Sequence, residues 1–151
     1  MANTQAMCTS FKTELMTATH NFGTAPTRGT GTADTFYAAL YETTATLNAA
    51  TTAYTTSGEV SGLGYSAGGV AVTNATAPTS SGTTAYWTPS ASLVYTGVTL
   101  TTAFDTVLIY NQTQSNKAVS VHTFGSQTIT AGTFTLTMPA NTNTTALLRL
   151  A

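Results

Sequence analysis

The chain has 151 residues, 42% of them apolar, which is enough for one domain with a buried core. Charge is scarce: four Lys and Arg and five Asp and Glu make 6% of the residues, against about 25% in typical domains. Lys12, Arg28, Lys117 and Arg149 are scattered along the chain, so no basic patch serves nucleic-acid phosphates or an anionic membrane surface.

Other classes fall with equally local arguments. No apolar run approaches the roughly 20 residues of a transmembrane helix. The opening MANTQAMCTSFKTELM lacks a charged n-region and an apolar h-region, so no signal peptide is expected. Cys8 is the only cysteine, which excludes an intrachain disulfide and a multi-thiolate metal site. Roughly a quarter of the residues are Thr, whose branching at Cβ suits a pleated surface. A nearly neutral, Thr-rich surface repels its neighbours little and loses little hydration on burial, which suits a protein that works in an assembly.

In chain order, residues 1–10 read as a flexible arm and residues 11–151 as a single domain. Ser10 is positioned to cap a short helix whose apolar stripe is Phe11, Leu15, Ala18 and Phe22, with Gly23 ending it and His20 near its C-terminus. TAPTRGTGT is a loop. Asp34 to Thr43 reads as a strand with bulk on both faces, and ATLNAATTAY as a loop or, preferably, a turn of helix. Gly58 to Gly69 holds five of twelve glycines and must contain positive-φ positions or a close backbone approach. GVAVTNA and TAYWTP read as strands, and SLVYTGVTLTTAF as one bent strand or two broken at Gly97.

FDTVLIYNQTQSNKAVSVHTFG, from Phe104 to Gly125, has the form of two strands around a polar turn and is the expected core hairpin. A symmetric loop would place Ile109 opposite Val119 and Val107 opposite Val121. It would put Asp105 and His122 on opposite faces. GTFTLTMP alternates through Phe134, Leu136 and Met138, and TALLRLA is expected to pair back into the sheet. Seven to nine short strands with regular turns indicate an all-β fold, an antiparallel β-sandwich or jelly roll with one short N-terminal helix.

Chemistry finds few footholds. Gly64-Tyr65-Ser66-Ala67-Gly68 spells G-x-S-x-G, and Asp105 and His122 follow in hydrolase order. A nucleophile elbow needs a strand before and a helix after the serine, and here Gly68-Gly69 leads into a strand. Gly62-x-Gly64-x-x-Ala67 matches a dinucleotide fingerprint without the βαβ unit it requires. His20, His122, Cys8 and the carboxylates are not spaced as metal ligands, and Glu42 and Glu59 have no motif of a glycosidase pair. Neither an enzyme nor a cofactor is expected. Tyr65, Tyr86 and Trp87 could stack on a sugar or anchor a partner, although Tyr86 and Trp87 are adjacent and one must face away from the core.

SFKTELMTATHNF, the stretch from DTFYAALY through EVSGLGYSAGG, VLIYN, and TLTMPANT with the closing LLRL resemble a family of small tailed-bacteriophage virion proteins. Some of its members are capsid cement (decoration) proteins. The resemblance implies a jelly-roll-like fold and a homo-oligomer, dimer or trimer, made in the host cytoplasm and placed on the capsid exterior. There it would bind the major capsid protein and reinforce contacts between capsomers. Candidate partner contacts are Met1, Ala2, Asn3 and Thr4 in the arm, with Tyr65, Tyr86 and Trp87. The alternative is a glycan- or receptor-binding module of a phage tail or fibre, and a third is a hydrolase using Ser66.

Overall fold

A computed structural model describes residues 2–22, 33–73 and 77–151. Among them are eight strands and one helix: β1 (Ala6–Met7), α1 (Thr9–Met16), β2 (Phe36–Glu42), β3 (Val70–Ala71), β4 (Thr79–Ser81), β5 (Thr84–Trp87), β6 (Leu93–Asn111), β7 (Lys117–Leu136) and β8 (Leu148–Leu150). They form two antiparallel sheets, one ordered β1-β7-β6-β2-β3 and the other β4-β5-β8, which makes the fold all-β with one short helix.

The hairpin of β6 and β7 is the spine. Apolar residues fill both faces near its turn, where Val107, Leu108, Ile109, Tyr110, Ala118, Val119 and Val121 are all buried. That two-sided burial requires cover on each face. Along β2, Phe36, Ala38 and Leu40 alternate with Tyr37, Ala39 and Tyr41, matching β6 residue for residue from Asn111 to Thr106. On the Phe36 face lie Phe22, stacked 4.5 Å from Phe36, and Trp87 of β5, which brings the small sheet onto the large one. On the Tyr41 face runs the segment from Thr43 to Gly69, which contributes Ala45, Leu47 and Val60 to the core.

The expected hairpin register is corrected by a bulge. Ile109 pairs with Ser120, Leu108 with Val121 and Val107 with His122, whereas Tyr110 pairs with Ala118. The register shift falls between Ile109 and Tyr110, so Val119 is the extra residue on β7. A bulge moves every side chain beyond it to the other face. His122 therefore lies with Val107 and Ile109 rather than with Leu108 and Tyr110. SLVYTGVTLTTAF and GTFTLTMP are not separate strands: they continue β6 and β7 as one ribbon, with Gly97 at φ +64° where the register slips between Tyr95 and Val98.

The N-terminal region also differs from expectation. The helix stops at Met16 and is capped by Cys8 without a side-chain bond, while the Ser10 hydroxyl is buried without a partner. Phe22 reaches the core by a turn through Ala18, at φ +53°, rather than along a helical stripe. The stretch expected to be a flexible arm is tied down. Asn3 donates to the Glu42 carbonyl and the Asp105 carboxylate, both at 3.1 Å, and accepts from the Leu47 amide at 2.8 Å. Thr4 donates from its amide to the Leu47 carbonyl at 2.8 Å, and β1 pairs with β7 at Val121 and Ser120. The segment Ala45–Tyr54 has no helical turn; Tyr54 N–H instead donates to the Asn116 carbonyl at 2.9 Å.

Candidate functional site

The Gly-rich loop is built as a lid pinned by tyrosines. Glu59 is 9% exposed and accepts three bonds: from Tyr54 Oη at 2.6 Å, Tyr65 Oη at 2.8 Å and the Gly68 amide at 2.7 Å. The Tyr65 hydroxyl also accepts from the Leu40 amide at 3.0 Å, which joins the loop to the sheet's central strand pair. Tyr110 donates to the Gly68 carbonyl and Tyr95 to the Ala38 carbonyl, each at 2.9 Å. Burial pushes all four of these phenols well above the ordinary tyrosine range, so each stays a donor.

Glycine is required where this lid touches the sheet. A Cβ on Gly69, at φ +77°, would stand 1.7 Å from the Ala38 carbonyl oxygen, and one on Gly62 would stand 2.0 Å from that of Thr99. The backbones meet there without room for a side chain. Tyr65 is thus a structural brace with its ring 6.1 Å from that of Tyr95, rather than a free stacking platform.

The three residues of the hydrolase motif are each engaged elsewhere. Ser66 is exposed on the loop and its carbonyl accepts from the Gly69 amide in a turn. No helix follows it; β3 begins at Val70. Asp105 accepts from Asn3 and from its neighbour Thr106, at 3.1 and 2.7 Å. His122 Nε2 bonds the Ser120 hydroxyl at 2.8 Å, and desolvation lowers its pKa to about 4, leaving it neutral. Asp105, bonded to Asn3 and Thr106, and His122, bonded to Ser120, have separate partners.

His20, expected to favour the end of α1, instead sits in a buried polar cluster joining helix and hairpin turn. Its Nε2 donates to Glu14 at 2.7 Å while its Nδ1 accepts from Asn111 at 3.0 Å, and burial holds its pKa down. Asn111 also donates to Asp34 at 2.7 Å and accepts from the Gln114 amide at 3.1 Å. Lys117 donates to the second Glu14 oxygen at 2.6 Å. Burial opposes ionisation of Glu14, yet the bonds from Lys117 and His20 hold its pKa below the usual carboxylate value. These residues lie up to 103 positions apart, and only the sparseness of charge in the chain marked them as unusual.

Those networks leave little charge outside. Of the nine charged residues all but Arg28 are described, and of these only Lys12 and Arg149 are exposed. Arg149 donates to the Thr144 carbonyl at 2.6 Å. Among the described residues no group of His, Cys, Asp and Glu could hold a metal ion, and no helix is long and apolar enough to cross a membrane.

The expected partner contacts are divided by the fold. Ala2 and Thr4 are exposed, Asn3 is half-buried in the contacts above, and Met1 lies outside the described residues. Trp87 is 2% exposed and packs 4.9 Å from Phe22, so it is a core residue and not a surface anchor. Tyr86 is half-buried and lines a small apolar cleft with Pro78, Leu15 and Leu150. A larger cleft of about 560 Å³ opens between β7 and β8, lined by Ser120, His122, Asn143 and Arg149 among others.

Missing from the sequence reading is the outer edge of β7. Among the described residues no strand pairs with that edge past Val121, and Thr123, Gly125 to Thr128, Thr130, Ala131 and Thr133 are exposed. An unbroken uncharged run from Ala118 to Leu148 was the signal that could have found it. Comparison with family models, with curated proteins and with solved structures finds no match.

Proposed function

We propose that this chain is a non-enzymatic structural protein of a phage virion, a capsid decoration or cement protein that binds the outer shell and reinforces contacts between capsomers. One observation carries the reading: of the charged residues described, only Lys12 and Arg149 are fully exposed, and the surface left is Thr-rich and sparsely charged. Such a surface packs closely against neighbours because few ions are stripped of water and like charges do not accumulate. The family resemblance of the DTFYAALY, EVSGLGYSAGG and VLIYN segments points the same way. Modest contacts repeated over several shell subunits would give firm attachment through avidity.

The reading of a glycan- or receptor-binding tail module has less support, since Trp87 is buried and the Tyr65 hydroxyl is held by Glu59. Quantifying the protein in purified virions tests the proposal. A copy number comparable to that of the major capsid protein is expected, together with binding of purified protein to shells stripped of it. A copy number of a few per particle would replace the proposal with the tail reading, and absence from the particle would sink both.

A further inference from the structure

We infer that the seam between β1 and β8 receives an extended segment of a different protein, alternating apolar, acidic, apolar, which adds as a strand along the free edge of β8 with its carboxylate on Arg149. This rests on the seam itself and not on the virion reading.

β1 ends the large sheet and β8 the small one, and both strands line a pair of adjoining clefts. The larger, about 560 Å³, is polar, with Gln5, Asn143, Thr145 and Arg149 in its wall. The smaller is apolar, with Leu15, Phe22 and Leu150 in its wall. Met7 and Leu148 belong to both. A cleft of this size suits a ligand of several residues. β8 pairs with β5 along one edge, and among the described residues no strand pairs with the other.

The strand itself sorts chemistry by face. Leu148 and Leu150 line the apolar cleft, and Arg149 between them lines only the polar one, as alternation along a strand requires. A segment laid beside β8 alternates in the same way. Its apolar side chains fall beside Leu148 and Leu150, and the one between them falls beside Arg149. Arg149 calls for a carboxylate there. It donates to the Thr144 carbonyl at 2.6 Å, which occupies one of the five N–H donors of a guanidinium. Both ion pairs among the described residues belong to Glu14, and no Asp or Glu lines either cleft. The remaining fork of donors matches a carboxylate in shape and charge.

The same charges make the occupant foreign. β8 added to its own copy would oppose two Arg149 cations. The carboxylates of this chain, Glu14, Asp34, Glu42, Glu59 and Asp105, are all buried or half-buried, so a second copy has none to offer. The polar cleft has no Phe, Tyr or Trp on which a sugar ring would stack, whereas the backbone along the β8 edge suits a peptide.

Fluorescence anisotropy with labelled, end-blocked peptides tests the inference. Wild-type protein is expected to bind Gly-Thr-Val-Glu-Val-Thr-Gly about fivefold or more tightly than the same peptide with Lys in place of Glu. Arg149→Glu, a change at an exposed position that should leave thermal melting as in the wild type, is expected to reverse that preference. Hydrogen exchange of the β8 amides should slow when the Glu peptide binds. Equal affinity for the two peptides, no reversal in Arg149→Glu, or unslowed exchange in β8 overturns the inference. Binding of oligogalacturonate in preference to the Glu peptide, and its loss in Arg149→Glu, would give the cleft to an acidic sugar and overturn it as well.

Discussion

The two halves of the β6–β7 ribbon share one pair of strands and behave as different kinds of structure. From Phe104 to Asn111 and from Ala118 to Val121 every residue but Asp105 is buried, covered by the small sheet and α1 on one side and by the lid on the other. In the outer half, from Leu93 to Ala103 and Thr123 to Leu136, β6 keeps Leu93 buried, and Tyr95, Val98 and Leu100 buried against the lid. Apart from Phe134, β7 there is exposed or half-exposed. The inner half is specified by interdigitated packing, which tolerates little change. The outer half is specified on one face only. A long hairpin can thus be two-sided core at one end and half-exposed at the other, with the boundary drawn by what covers it.

The sharpest way to break that contrast is to put the same small change on each side of it. Gly69→Ala forces a methyl group into the Ala38 carbonyl and should destabilise by about 4 kcal/mol or more, or prevent folding. Gly125→Ala, in the outer half with nothing within 4 Å of the added carbon, should stay within about 0.5 kcal/mol in urea titration. Equal effects would mean the lid is not seated as described.

Next in size is Glu59→Gln. It replaces an acceptor of three bonds by a group whose own NH2 must face at least one of the donors, so a loss of about 1–3 kcal/mol is expected. Limited proteolysis should then cut first between Gly58 and Gly69. Cleavage elsewhere first would show that Glu59 does not hold the lid.

A more gradual effect comes with acid. His122 titrates near 4 in the fold against 6.5 when free, so below pH 6.5 the unfolded chain binds a proton the folded one refuses. Stability therefore falls as pH drops from about 6.5 towards 4, by up to about 3 kcal/mol from this group. His20, also lowered by burial, adds to the fall in the same direction. Glu14, held low by Lys117 and His20, contributes stability that is lost only as pH drops below its unfolded value of 4.5. Denaturant midpoints across this range should show a shallower slope for His122→Gln, and an identical slope would remove His122 from the account.

Much of the strand framework was legible because its signals are local. Phe36–Glu42, Thr84–Trp87 and the two arms about NQTQSN alternate or carry β-branched runs bounded by turn residues, and all are strands. The Gly58–Gly69 stretch announced close backbone approach by composition, and Gly62 and Gly69 bear it out. The candidate contacts were less legible. Trp87 and Tyr86 differ in burial because β5 pairs with β8 and packs on Phe36, neither of which a local window contains.

By itself the sequence determined the all-β class, the central hairpin and the shortage of charge, since propensity, period and composition act over a few residues. Tertiary structure alone decided the bulge at Val119, the pinning of the lid by Tyr54, Tyr65 and Tyr110, and the inward turn of Glu14, Asp34 and Glu59. Each of those depends on partners brought close from distant parts of the chain, up to 103 positions away for Glu14 and Lys117. Buried polar groups must find such partners, and only the closed fold supplies them.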